Sequence, residues 1–323
     1  MNRLILAPVL AALLVLPATQ ASAQDIQYRI IGGDAASIAD YPSLAPILVT
    51  QLADQRSQYQ RQYCAGNFIT QRWVLTAAHC MFDGDFNQAS PSDISLLANV
   101  TDLAVGGEEL AVANIHVHPD YTAGMVDSTS DLALIELAQD ADVTPMSLYI
   151  GEVPSGTSAW LAGWGATEYN EITFEASDYP TELMDVQVPV VGIDDCNVAF
   201  ESSGVVVDST QLCAGLEEGG KDSCAGDSGG PMMVSVNGRL AQAGIVSFGA
   251  GCAVAGFPGV YTRVGAFADW IQSFTATSQS AGTLGNYVED GKASGSSGSS
   301  GGGLGAFAML PLLLPFLRRR LQR

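Results

Sequence analysis

"PMMVSVNGRLAQAGIVSFG", residues 231–249, decides the fold class. Asn237-Gly238 supplies two residues that tolerate the positive φ angles of a tight type I′ turn, and β-rich runs flank it, so the stretch predicts a β-hairpin. The same signature continues outward in both directions. "MDVQVPVV" (184–191) alternates like a half-buried strand, while "WVLTAA" (73–78), "DLALIEL" (131–137) and "AWLAGWG" (159–165) read as buried strands. Long helical periodicity is scarce. The good helix candidate is "GAFADWIQSF" (265–274), which puts Phe267, Trp270, Ile271 and Phe274 on one face. An all-β domain over about residues 30–275, closed by a helix, follows.

The chain has 323 residues, 47% of them hydrophobic, enough to bury a substantial core. Its formal charge of -21, from 34 acidic against 13 basic residues, argues against nucleic acid as a partner, because phosphate binding needs clustered Lys and Arg. Cationic substrates suit it better.

Both ends differ from the middle. "MNRLILAPVLAALLVLPATQASAQ" (1–24) carries Arg3, an apolar run and the small residues Ala21-Ser22-Ala23, the layout of a secretory signal peptide cut after Ala23. A membrane anchor is the alternative, but the run is short for a span. Export implies an oxidising compartment, so the six cysteines read as three disulfides, with their pairing open, rather than as a zinc site. At the other end "GKASGSSGSSGGG" (291–303) is a flexible linker, followed by the apolar "LGAFAMLPLLLPFL" (304–317) and the basic "RRRLQR" (318–323).

Histidine is scarce, and serine chemistry needs a base that titrates near neutrality. Of the three, His116 and His118 in "NIHVHPD" alternate on one strand face with no third ligand nearby, and read as a surface pair rather than a metal site. His79 differs, because it ends the apolar strand of "WVLTAAHC" and stands beside Cys80.

"RWVLTAAHC" with His79, "DLALIEL" with Asp131 and "CAGDSGGP" with Ser228 together resemble the chymotrypsin and trypsin family of serine proteases, in that family's chain order. "RIIGGDAASIADYPSLAPI", "CAGNFI" and "PGVYTRV…FADWI" resemble its activated N-terminus, first cysteine strand and closing strand and helix, so the likeness spans about residues 29–274. The resemblance implies two six-stranded antiparallel β-barrels, an active site in the cleft between them and a closing C-terminal helix. It also implies disulfides Cys64–Cys80, Cys196–Cys213 and Cys224–Cys252.

Residue by residue, the resemblance makes Ser228 the nucleophile, His79 its base and Asp131 the group that orients the imidazole. The N–H groups of Gly226 and Ser228 become oxyanion donors. Asp222 falls at the floor of the pocket for the residue before the cut, with open walls at Gly249 and Gly259, which implies cleavage after Arg or Lys. Phe248 stands where trypsins carry Trp, and Ala225 where they carry Gln, which affects the neighbouring subsites. Asp227 is expected to pair with the new α-ammonium of Ile30 once the bond after Arg29 is cut, making the chain a zymogen with the propeptide 24–29. "LLANVTDLAVGGEE" matches the calcium loop of animal trypsins poorly, so neither metal nor cofactor is expected. The implied partners are protein or peptide substrates and an activating protease, met by a monomer.

The tail resembles the GlyGly-CTERM sorting signal of exported proteins in Gram-negative bacteria. That resemblance implies transient insertion in the inner membrane, removal by a rhombosortase and type II secretion to the surface or medium. Retention as a permanent anchor is the alternative.

Overall fold

Twelve strands form two rings with one shared connectivity. In a computed structural model the described residues are 30–51, 56–125, 129–275 and 279–280, the last two by backbone alone. They belong to the first of two units, Met1–Val288 and Glu289–Arg323. The first ring comprises β1 (Leu44–Val49), β2 (Gln62–Phe68), β3 (Trp73–Thr76), β4 (Ile94–Ala98), β5 (Glu108–Val117) and β6 (Ala133–Leu137). It closes in the order β1-β2-β3-β6-β5-β4. The second comprises β7 (Ser158–Gly163), β8 (Met184–Val191), β9 (Gln211–Ala214), β10 (Pro231–Val236), β11 (Arg239–Phe248) and β12 (Gly259–Arg263). Its order is β7-β8-β9-β12-β11-β10, and antiparallel pairing of β10 with β7 completes the ring. Closure leaves these strands no unpaired edge at which another chain could add.

The local sequence explains the strands. β8 alternates buried and more exposed residues, as its period of two requires. Leu75, Leu134 and Ile135 are wholly buried in the apolar core built on both faces of the first ring's strands, and each such side chain contributes about 1.5–3 kcal/mol by leaving water. Asn237 at φ 52° and Gly238 at φ 81° make the tight turn between β10 and β11.

Two elements differ from the sequence reading. The closing helix α3 is Ala268–Phe274, and the residues before it, Val264–Phe267, form a 3-10 turn. A further helix, α2 (Ile193–Phe200), was not anticipated; Asp194 and Asp195 in its first turn suit the positive end of the helix dipole, and Cys196–Cys213 ties it to β9.

The histidine pair needs a correction as well. His118 is 8% exposed, packed on Phe267 and Trp270, and the His116 ring lies 4.6 Å from that of Phe274. The two are not a surface pair, because α3 covers the strand face from which they project. Burial lowers the pKa of His118, against the pull of Asp120.

Among the described residues no helix is long and apolar enough to cross a membrane. The segments expected to be the signal peptide and the apolar tail, together with Arg29 and the Gly/Ser stretch 291–303, lie outside the described residues, whereas Gln279–Ser280, within the linker expected from 276, pair in parallel with Leu148–Tyr149.

Candidate active site

Strand pairing brings His79 and Asp131 together. β3 and β6 are antiparallel with Thr76 opposite Ala133, so the residues just beyond one strand meet those just before the other. His79 opens a 3-10 turn, His79–Met81, that the Cys64–Cys80 disulfide ties to β2. Its Nδ1 lies 2.8 Å from Asp131 Oδ2, and its backbone N–H donates to Oδ1 at 2.8 Å. A carboxylate acceptor on that side puts the proton on Nδ1 and leaves Nε2 able to accept.

The second ring completes the surroundings of Asp131. The Ser247 hydroxyl donates to Oδ2 at 2.6 Å and the Thr262 hydroxyl to the Asp131 carbonyl at 2.8 Å. Burial alone would raise the Asp131 pKa, but the charge and hydrogen bonds of His79, with Ser247, hold it below the usual value. Burial likewise pulls His79 down, and the charge and hydrogen bond of Asp131 leave it raised. The imidazole keeps about 33% of its side-chain surface open, so the free nitrogen is reachable. Ser247 and Thr262 escaped the sequence reading: they are 116 and 131 residues from Asp131, and no local motif connects them.

Ser228 lies in the loop between β9 and β10. Its carbonyl accepts from the Ala65 N–H at 2.8 Å and lies 3.5 Å from Cys80 Sγ, which sets it against the first ring. No hydrogen bond joins its hydroxyl to His79 Nε2 among the described residues. Gly226 has φ 102°, a left-handed geometry that a side chain rarely adopts, and its carbonyl accepts from Gln62 Nε2 at 2.8 Å. Cys64, His79 and Cys80 also cluster, but the two sulfurs are joined in a disulfide and offer no thiolate to a metal.

Asp222, Ser228, Gly249 and Gly259 line one pocket of about 230 Å³, with Phe248 and the Cys224–Cys252 disulfide in its wall. Asp222 is buried and Gly249 exposed, so the acid marks the closed end. Gly259 makes the room: a Cβ there would sit 3.0 Å from Asp222 Oδ1. The carboxylate accepts from the Ser223 and Ala253 N–H groups at 2.8 and 3.0 Å. Burial pushes Asp222 up to about 7, those donors oppose it, and the Asp227 charge adds to the rise.

Asp227 is buried too, accepting from the Gly165 and Cys224 N–H groups at 2.8 and 2.9 Å. Burial raises it to about 6, against the pull of those two donors. A Cβ at Gly165 would collide with its carboxylate, which explains the glycine. Ile30 is 1% exposed, with its side chain in the apolar core of the second ring, and the next residue, Ile31, accepts from the Asp222 N–H at 3.2 Å. No hydrogen bond or ion pair links Ile30 to Asp227 among the described residues.

The site can be set beside known proteins. The family model described as Trypsin matches residues 30–271. "Trypsin" of Phaedon cochleariae is 35% identical over 257 residues, 76% of this chain and 88% of its own length. "Phenoloxidase-activating factor 1" of Holotrichia diomphalia is 34% identical over 267 residues, 76% of this chain and 69% of its own. With two closed barrels, a histidine held by a buried carboxylate between them and these relatives, the chain belongs to the trypsin family of serine endopeptidases.

Proposed function

We propose that the chain is a secreted zymogen which, once cut after Arg29, hydrolyses peptide bonds following Arg or Lys through an acyl-enzyme on Ser228. In this reading Ser228 Oγ attacks the carbonyl carbon while His79 Nε2 takes its proton, and the oxyanion meets the N–H groups of Gly226 and Ser228. Collapse breaks the C–N bond, and His79 returns the proton to the leaving amine. Water, deprotonated by the same histidine, then releases the acid product and restores the serine. Asp131 keeps the imidazole oriented and stabilises its cation.

The observation that carries the specificity is the buried Asp222, with no cation beside it among the described residues, in a pocket shared with Ser228. A substrate guanidinium or ammonium supplies the missing charge, and a neutral side chain leaves it missing. Asp227 poses the same problem, and the ammonium freed at Ile30 answers it. Protein processed at Arg29, assayed with paired Arg and Phe chromogenic peptides beside a Ser228→Ala control, tests the reading. Turnover of the Arg peptide by the parent alone supports it; equal turnover of both peptides contradicts it.

The layout that goes with this function is a signal peptide at 1–23, a propeptide at 24–29, the peptidase domain at 30–275, a linker at 276–303 and a sorting tail at 304–323. The tail supports release from a Gram-negative cell through a rhombosortase and type II secretion. The C-terminal mass of the mature protein distinguishes removal of the tail from a permanent anchor.

A further inference from the structure

A second cleft opens near the same loop. The Gln62 side chain that holds the Gly226 carbonyl also lines a space of about 390 Å³ with Arg56, Tyr59, Gln60 and Tyr179. The Gln62 hydrogen bond ties this opening directly to the reacting loop.

The first-ring wall of the cleft is held in place. Helix α1 (Gln58–Arg61) begins with a reciprocal capping box between Ser57 and Gln60. Gln58 exchanges hydrogen bonds with the Gly107 carbonyl and N–H at 3.2 and 3.0 Å, and Arg61 grips both oxygens of Glu109 at 2.9 and 2.8 Å. Tyr59 spans to the second ring, donating its hydroxyl to the Tyr179 carbonyl at 2.7 Å.

Arg56 is the exception on this wall. Arg61, Arg72 and Arg263 meet carboxylates; Arg56, like Arg239 at the far hairpin turn, is exposed without an ion-pair partner among the described residues, but Arg56 lines a cleft. An unpaired guanidinium lining a cleft, with amide and phenol groups around it, fits an incoming carboxylate.

We propose that this cleft receives the residues just after the cut bond and selects an acidic side chain there through Arg56. The proposal rests on the protease reading given above. Its test uses protein processed at Arg29 and internally quenched peptides with one Arg, differing in Glu, Gln or Lys at the first or second position after it. An Arg p-nitroanilide, which has no residue beyond the cut, is assayed alongside. At low salt kcat/KM should favour Glu over Gln by about 2- to 5-fold and Glu over Lys by more, with the preference shrinking as salt rises. Arg56→Glu should invert the Glu-to-Lys ratio measured within that variant, and Arg56→Lys should keep its direction. A ratio near one in the parent, or one unmoved by Arg56→Glu, overturns the subsite while p-nitroanilide cleavage leaves the protease reading standing. Failure to cleave the p-nitroanilide overturns both.

Discussion

The two rings have the same strand order, yet they treat their buried acids in opposite ways. In the first, Asp131 meets His79, and the pair holds the carboxyl below its usual value. In the second, Asp222 and Asp227 are held chiefly by backbone N–H groups, with no cation beside them among the described residues, and burial lifts them to about 7 and about 6. Removing a charge from water without a counter-charge costs several kcal/mol, so a fold keeps such acids only where something else pays. The lesson is that Asp131 already has its partner charge in His79, with hydroxyl support from the second ring, whereas Asp222 and Asp227 have no cation beside them among the described residues; in the function proposed above, a substrate side chain and a new chain terminus supply the two cations.

Asp131→Asn attacks the finished half and should have the largest effect. It should lower kcat about 10⁴-fold, because the imidazole loses its orientation, while binding of an arginine mimic such as benzamidine stays unchanged. A comparable loss of benzamidine affinity would mean that the two halves are not separable. Asp222→Asn attacks the waiting half: the kcat/KM preference for Arg over Phe should fall by about two to four decades, equivalent to about 3–5 kcal/mol.

A pH titration sharpens the contrast. Benzamidine needs the Asp222 carboxylate, and this group sits at about 7, so affinity should rise as pH increases towards 7 and level off above it. Below that point each pH unit should cost up to about tenfold, and Asp222→Asn should flatten the profile. The smallest effect belongs to the contact that links the rings: Ser247→Ala removes one donor from Asp131 and should reduce kcat by about 5- to 20-fold, read by steady-state kinetics with the Arg peptide.

Much of this contrast was legible in the sequence because its carriers are local. The Asn237-Gly238 turn, the alternation of β8 and the motif around Ser228 each declare themselves within a dozen residues. His79 was recognisable from its place at the end of an apolar strand. What escaped notice depends on distant packing. Nothing near "NIHVHPD" says that α3 folds back over both histidines, and nothing near Ser247 or Gln62 announces Asp131 or the Gly226 carbonyl. Helix α2 is short, and its acidic first turn was outweighed by the β-rich segments around it.

The measurement closest to the central claim compares the uncut Arg29→Gln chain with the processed protein by thermal unfolding from pH 4 to pH 7. Asp227 at about 6 lies above its unfolded value of about 3.9, so the folded uncut chain holds the proton more tightly and loses stability as pH rises through that window. The loss amounts to about 3 kcal/mol, or about 5–10 °C in Tm. In the processed chain the Ile30 ammonium should hold Asp227 ionised and remove this decline, so the Tm gap between the two forms should widen from pH 4 to pH 7. Arg29→Gln should also be soluble and inactive. A gap that does not change with pH, or equal activity with the Arg29–Ile30 bond intact, would contradict the account.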